Sequence, residues 1–295
     1  MALLERTLSA TRRLIPARFR SDIPVVPVVR LSGVIGVSSP LKPGLTLASV
    51  ARPLDRAFSM PRIRAVALSI NSPGGAAAQS HLIHRRIRSL ADEKKVPVLA
   101  FVEDVAASGG YMIACAADEI ICDESSIVGS IGVVGGSFGF DKLIEKLGIE
   151  RRLYTSGENK AMLDPFLPEK PGDVEKLKAL QREIHESFIA LVKARRGDKL
   201  DSRESALFTG EYWTGQRGKA LGLVDAIGDL RSVLRERYGD KVKMPLIAEK
   251  GFTLFGRKAP GIGYGELSSL WSNPSLADDV VATLEARALW ARYGL

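Results

Sequence analysis

The order of apolar and polar positions divides the chain into alternating strand-like and helix-like segments. Short apolar runs predict buried strands, at 23–31, 64–70, 96–102 and 119–122. Apolar positions at helical spacing predict helices, at 45–59, 76–90, 109–117, 141–147 and 173–196. Strands separated by helices favour right-handed crossovers, which make neighbouring strands parallel. The pattern therefore predicts an α/β fold with a mostly parallel sheet.

The stretch Ala106-Ala107-Ser108-Gly109-Gly110-Tyr111 follows one predicted strand and opens the next helix. Backbone N–H groups point outward unpaired at a helix start, and the two glycines allow another chain to approach closely. A serine at this junction is well placed to act as a nucleophile. The competing interpretation is that Ser108 caps the helix, which is a common use of serine.

Two further motifs lie beside predicted strands, one before and one after Ser108. Upstream is Asn71-Ser72-Pro73-Gly74-Gly75, whose glycine pair can direct backbone N–H groups at a developing oxyanion. Downstream, Thr155-Ser156-Gly157-Glu158-Asn159-Lys160 follows a strand-like run, Arg151-Arg152-Leu153-Tyr154. A lysine accepts a serine proton only when it is neutral, so burial must depress the pKa of such a lysine.

In this order and at these separations, the NSPGG, ASGGY and SGxxK strings resemble those of the S49 peptidases, the group of signal peptide peptidase A and SohB. The resemblance covers roughly residues 27 to 237. It implies the ClpP/crotonase-like fold, a spiral of ββα units. It also implies that Ser108 is the nucleophile and Lys160 the general base, with the N–H groups of Gly75 and Gly109 forming the oxyanion hole. Ser130 matches the position of a family serine that hydrogen-bonds the lysine.

The activity implied by the resemblance is that of a serine endopeptidase that works through an acyl-enzyme and needs no metal or organic cofactor. Its substrates would be hydrophobic or unstructured peptides, such as signal-peptide or membrane-derived fragments. Family members assemble into rings or domes, and an octamer is the implied state of this chain. The sequence leaves open whether the dyad closes within one chain or across two. Met112 stands where the family often has a second tyrosine, a change expected to affect the shape of the pocket.

A Ser-His-Asp triad is the alternative catalytic arrangement for Ser108. His81 and His84 lie on a charged helix face that is predicted to meet solvent, and His185 has no identifiable partner. Asp225 is predicted to serve in a cap or a turn. A lysine base is therefore favoured, and activity is expected to rise with pH rather than follow a group near the usual histidine pKa of about 6.5.

Two other function classes fit part of the pattern. A crotonase-like enzyme would use the same oxyanion hole on a CoA thioester, but Ser108 and Lys160 would then have no purpose. A catalytically silent scaffold at a membrane surface is suggested by the basic ends of the chain. The intact pair of Ser108 and Lys160 argues against that scaffold as well.

Composition indicates a globular chain and adds few other constraints. The 295 residues are 45% hydrophobic and 26% charged, with a net charge of +8. No nucleic-acid partner is expected, because the basic residues are spread along amphipathic helices without a nucleic-acid-binding motif. Cys115 and Cys122 lie in apolar runs without metal-ligand spacing and are expected to be buried thiols. The glycine-rich stretch 125–139 lacks the ending of a phosphate loop and is predicted to line a substrate cleft.

Three segments are predicted: a basic amphipathic segment at 1–22, the peptidase domain at 23–237, and a C-terminal extension at 238–295. No apolar run in the first segment approaches the roughly 20 residues needed to span a bilayer. A cytoplasmic location is therefore expected, either free or peripheral to the inner face of the cytoplasmic membrane. The run 277–295 is expected to pack on the domain or on another subunit.

Overall fold

The computed structural model describes residues 23–36, 44–201, 203–247 and 276–295, so the predicted segment 1–22 lies outside it. In these residues eight strands form one sheet. The strands are β1 (Val28–Ser32), β2 (Val66–Ser72), β3 (Val98–Ala107), β4 (Glu119–Cys122), β5 (Ile127–Gly129), β6 (Tyr212–Thr214), β7 (Ala226–Ile227) and β8 (Leu246–Ile247). The α-helices are α1 (Leu47–Phe58), α2 (Ala77–Lys94), α3 (Gly109–Ala114), α4 (Asp141–Lys146), α5 (Pro171–Arg196), α6 (Gly215–Ala220), α7 (Leu230–Tyr238) and α8 (Leu276–Ala291).

The sheet has the order β6-β5-β3-β2-β1-β8, and β4 pairs with β3 and β7. Every pair is parallel except β5 with β6, which confirms the predicted α/β fold with a mostly parallel sheet. The long strand β3 changes partner along its length. Leu99–Val102 pair with β4, whereas Val105–Ala107 pair with β5. β3 therefore continues past the predicted end at residue 102 and leads directly into Ser108.

Helix α3 is anchored in the core behind Ser108. All six of its residues are buried, and the Tyr111 hydroxyl donates a hydrogen bond of 2.8 Å to the Leu223 carbonyl. Its last turn and the residues after it would leave carbonyl groups unpaired. Arg195 donates to the carbonyls of Cys115 and Ala117, and Arg88 donates to that of Ala116. Side chains from α2 and α5 thus fix the helix that begins at the candidate nucleophile.

Two predictions about surface elements were wrong or incomplete. Residues 151–154, interpreted as strand-like, are irregular and exposed. Local composition does not decide whether a run reaches the sheet, and residues 151–154 pair with none of its described strands. Helix α5 has the predicted apolar positions, but its buried residues, Phe188, Val192 and Arg196, all lie in its C-terminal half. Leu180 and Ile184 are 41% and 40% exposed. Its N-terminal half therefore presents an apolar face to solvent.

The two cysteines are buried, as predicted. Cys115 and Cys122 are buried free thiols, and desolvation raises the pKa of each to about 12. β8, which lies in the predicted C-terminal extension, pairs with β1. None of the helices in the described ranges has both the length and the apolar character needed to cross a membrane.

His84 is buried rather than solvent-facing, which corrects the prediction for the charged face of α2. Neither ring nitrogen has a hydrogen-bond partner of normal geometry in the described residues. Burial first, and the nearby charge of Arg195 second, lower the pKa of His84 to about 4. The periodicity of α2 places position 84 beside Ile83 and Ile87 on the inner face, so the arginines around it misled the interpretation.

The buried imidazole should make folding sensitive to mild acid. Between pH 6.5 and 4 the unfolded chain binds a proton at His84 that the folded chain does not, so stability falls as pH drops through this window. The loss should be on the order of 1–3 kcal/mol between pH 7 and 4.5. We expect His84→Leu to remove this part of the pH dependence in urea denaturation. His81→Leu is the control on the same helix, and equal acid losses in wild type and His84→Leu would contradict the prediction.

Candidate active site

Ser108 lies at a strained junction between β3 and α3. Its backbone has φ 52° and ψ −122°, a region that non-glycine residues rarely adopt and that is found most often at functional sites. The conformation is held from both sides, because the Ser108 N–H donates to Gly129 O at 2.8 Å and its carbonyl accepts from Met112 N at 3.0 Å. Ser108 occupies the N-cap position of α3, but its side chain makes no capping hydrogen bond to the helix, so the hydroxyl is not used as a cap.

The two glycines predicted for the oxyanion hole lie beside Ser108. Gly109 is the first residue of α3. Gly75 follows β2 and forms an isolated parallel β-bridge with Ile35. In this bridge Ile35 N donates to Gly74 O at 2.8 Å, and Ala76 N donates to Ile35 O at 2.9 Å. Since both neighbours of Gly75 pair with Ile35, the N–H of Gly75 itself points away from that residue. The N–H groups of Gly75 and Gly109 are thus not used in the backbone pairing that surrounds them.

The glycines of both motifs are required by close packing. A Cβ on Gly75 would lie 2.2 Å from Ile35 O, and one on Gly109 would lie 2.2 Å from Ser80 Oγ. A Cβ on Gly74 would lie 2.8 Å from the Cβ of Ser108. The loop after β2 therefore packs directly against the nucleophile junction, which brings the two sequence motifs together.

A cleft of about 360 Å³ opens over Ser108. Its lining includes Gly75 and Gly109 together with mostly apolar side chains, from Met112, Val133, Val134, Ile184, Phe188 and Leu289. Val133 and Val134 belong to the glycine-rich stretch 125–139, as predicted. The position of Met112 in the lining agrees with the expected effect on pocket shape.

Lys160 does not lie at this cleft in the described chain. It is exposed, in a turn where its N–H donates to Gly157 O at 3.3 Å, and no residue of 151–170 lines the cleft. The segment around it carries exposed apolar side chains, among them Phe138 at 79% and Tyr154 at 89% exposure. One chain therefore presents Ser108, Gly75 and Gly109 together, with the predicted base on a separate apolar surface.

Ser130 is buried beside the end of β5 and also has a positive φ, of 52°. Its N–H donates to Glu211 O at 2.6 Å, and its hydroxyl accepts a hydrogen bond from Tyr293 at 3.3 Å. The residues after α8 thus reach the site, and Leu289 and Arg292 line the cleft. The sequence analysis did not predict a role for Leu289, Arg292 or Tyr293. The amphipathic pattern of 277–295 was the signal that pointed to this part of the chain.

The candidate triad partners have structural roles. His185 contacts the Ile131 carbonyl through Nε2 at 3.0 Å. Asp225 accepts hydrogen bonds from Arg196, Lys199 and the N–H of Ile120, each at 2.7 to 2.8 Å. Burial alone would raise the pKa of Asp225, but the bonds from Arg196 and Lys199 outweigh it and lower that pKa. Asp225 is thus an ion-pair centre between α5 and β4.

Sequence comparison identifies the family of this fold and site. The profile described as "Peptidase family S49" matches residues 91–242, which include Ser108, Gly109, Ser130 and Lys160. The chain belongs to peptidase family S49. The membership predicted from the sequence motifs is thereby confirmed.

Relatives of this S49 chain include proteins named as proteases. It is 36% identical over 173 residues to "Serine protease SPPA, chloroplastic" of Arabidopsis thaliana, covering 57% of this chain and 25% of that protein. It is 33% identical over 208 residues to a putative protease of Methanocaldococcus jannaschii, covering 69% and 66%.

A third relative is longer. "Na(+)/H(+) antiporter NhaA" of Brucella abortus is 56% identical over 288 residues, which are 96% of this chain and 39% of that protein. The S49 chain thus spans well under half of the Brucella protein, and the match includes the S49 motifs.

Proposed function

We propose that the chain is a serine endopeptidase in which Ser108 is the nucleophile and Lys160 the general base. The observation that carries the proposal is that Ser108 has a strained backbone, does not cap α3 with its side chain, and lines a cleft together with Gly75 and Gly109. Family membership supports peptide-bond hydrolysis. A crotonase-like reaction on a CoA thioester would leave the nucleophile without a role.

The proposed reaction has two stages. Ser108 Oγ attacks the peptide carbonyl while Lys160 Nζ removes the hydroxyl proton, and the Gly75 and Gly109 N–H groups hold the oxyanion. The C–N bond then breaks, and the lysine returns the proton to the leaving amine. Water, deprotonated by the same lysine, hydrolyses the acyl-enzyme and restores Ser108. The residues supply all the proton transfers, so the cycle balances without a further reactant.

We further propose that Lys160 reaches Ser108 from a neighbouring subunit of a homo-oligomer. Its position supports this, because Lys160 is exposed and lies outside the cleft that holds Ser108 of the same chain. Contact with a second subunit would bury it. The exposed apolar side chains of the same segment and of α5 supply a surface for that contact.

The cleft favours apolar, extended substrates. Met112, Val133, Val134, Ile184, Phe188 and Leu289 offer mostly aliphatic surface near the nucleophile. Folded proteins rarely present an extended segment to such a cleft, so unstructured or membrane-derived peptides are the proposed class.

Hydrolysis of fluorescein-labelled casein tests the proposal. We expect Ser108→Ala to lose at least about 1,000-fold in kcat, because the covalent route is removed. Ser89→Ala, an exposed serine on α2, is the matched control and should keep wild-type activity.

Three results would overturn the proposal. If Ser108→Ala keeps substantial activity, the nucleophile is wrong. Wild type that is inert at every pH and oligomeric state would favour a silent scaffold. Tight binding of CoA by an inert wild type would favour the crotonase-like class.

A further inference from the structure

Tyr293, near the end of the described residues, contacts Ser130, the serine that is proposed to hydrogen-bond the lysine base. Tyr293 is 7% exposed, and its hydroxyl donates to Ser130 Oγ at 3.3 Å. Its ring packs on Val105 and Ala107 of β3. Tyr293 lies outside the matched residues 91–242, so nothing in the family match assigns it a role.

The tyrosine is held firmly in this position. Its ring meets the ring of Tyr212 edge-to-face, with centroids 5.0 Å apart. The Tyr212 hydroxyl in turn donates to the Arg292 carbonyl at 3.2 Å. β6 and the residues after α8 therefore fix the phenol over Ser130. Leu289 and Arg292, which lie close to Tyr293 in the sequence, line the cleft.

A phenol hydroxyl is a stronger hydrogen-bond donor than an aliphatic hydroxyl, so Tyr293 is the donor and Ser130 the acceptor of their hydrogen bond. A hydroxyl has one hydrogen to donate and two lone pairs to accept with. Tyr293 occupies one lone pair and leaves the hydrogen of Ser130 free to donate to another group. The Ser130 N–H is already bonded to Glu211 O at 2.6 Å, so the backbone is fixed and the side-chain torsion is the remaining freedom.

We propose that Tyr293 is a positioning residue, which turns the Ser130 hydroxyl so that it donates to the lone pair of the neutral lysine base. The inference rests on the proposed Ser-Lys function. Hydrogen bonds in a chain strengthen one another, so donation by Tyr293 makes Ser130 a better donor to the lysine. The same donation reduces the capacity of Ser130 to accept from a protonated lysine. Both effects favour the neutral base.

The consequence is a change in the pH profile. Without the tyrosine hydroxyl the neutral lysine is less favoured, so the acid limb of kcat against pH should move to higher pH. Other ionisable groups near Ser130 must be separated from this effect. They are Glu211 and Tyr212 from the β6 side, His185 of α5, which contacts the Ile131 carbonyl, and Arg292 at the cleft.

The test compares Tyr293→Phe with Tyr212→Phe on fluorescein-labelled casein. Both variants keep the ring and lose one hydroxyl, but the hydroxyl that hydrogen-bonds to Ser130 in the described structure is that of Tyr293. For Tyr293→Phe we expect kcat to fall about tenfold at neutral pH, with KM unchanged and the acid limb shifted upward. Tyr212→Phe should keep the wild-type limb. His185→Gln should keep it too, which removes histidine as its source.

A double variant shows whether Tyr293 acts through Ser130. In a Ser130→Ala background, Tyr293→Phe should cause no further loss of kcat, because the group that it positions is gone. Full additivity of the two losses would overturn the inference, as would a Tyr293→Phe variant with the wild-type kcat and acid limb. A rise in activity would also overturn it, since the phenol would then be a block.

Failure of this inference can be distinguished from failure of the proposed function. Ser108→Ala and Lys160→Ala are measured in the same assay. If either keeps near-normal activity, the Ser-Lys function fails and the role of Tyr293 falls with it. If both are inactive and Tyr293→Phe resembles wild type, only the positioning role is wrong.

Discussion

Mixing the Ser108→Ala and Lys160→Ala proteins is expected to restore casein hydrolysis that neither variant has alone. If each site takes Ser108 from one subunit and Lys160 from the next, an active site in the mixture needs a Lys160→Ala chain beside a Ser108→Ala chain. In an equimolar oligomer with random order, half of the positions hold a chain with an intact Ser108, and half of the neighbouring positions hold a chain with an intact Lys160. About a quarter of the wild-type activity should return, which a head-to-tail ring contact makes possible.

The experiment requires exchange of subunits, so the two variants are dissociated together and reassembled, and each variant is treated alone in parallel. Lys142→Ala is the matched control, because Lys142 is another exposed lysine of the same apolar segment. It should keep its activity without a partner. No recovery on mixing, with both single variants inactive and fully assembled, would mean that the dyad closes within one chain.

The sequence predicted the parts of the fold that depend on local pattern. Strand β4 begins and ends at the predicted residues, β2, α1 and α2 lie within four residues of their predicted bounds, and β3 runs five residues beyond its predicted end. The position of Ser108 at a strand-to-helix junction followed from the same pattern. Local apolar spacing predicts these elements because each buries one face or one run against its immediate neighbours.

Features that depend on distant contacts could not be predicted in this way. The hydrogen bond between Tyr293 and Ser130 joins positions 163 residues apart, and no local pattern encodes it. His84 was misread because the charged residues beside it on α2 point in other directions. Residues 151–154 have the composition of a strand, but whether such a run pairs depends on whether the fold of the whole chain brings it beside a sheet edge.

The same distinction separates the two halves of the proposed dyad. Ser108, Gly75 and Gly109 are brought together by the register of β2 and β3, which one chain determines. Lys160 lies on an exposed segment whose apolar side chains, among them Phe138 and Tyr154, stay largely exposed in the described part of the chain. In the proposed oligomer a second subunit would cover these side chains, and the location of the base would then depend on assembly rather than on the fold of one chain.

Gly75→Ala is expected to reduce kcat by about 100-fold or more, because it moves a donor of the oxyanion hole. The new Cβ would lie 2.2 Å from Ile35 O and 2.8 Å from Ile35 N, so the contact is with backbone that cannot turn aside. Gly75 also has φ 141°, which an alanine adopts only with strain. The loop must shift, and the N–H of residue 75 shifts with it relative to Ser108.

Gly33→Ala separates this effect from general backbone strain. Gly33 has φ 103°, but a Cβ there would meet no atom within 4 Å. The unfavourable φ should cost each variant about 1–3 kcal/mol of stability, measured by urea denaturation, and Gly75→Ala should lose more because its Cβ also clashes with Ile35. Only Gly75→Ala should lose kcat in the casein assay at temperatures where both are folded. If the two variants are equally active, the N–H of residue 75 does not hold the oxyanion, and the second donor must be sought elsewhere around the cleft.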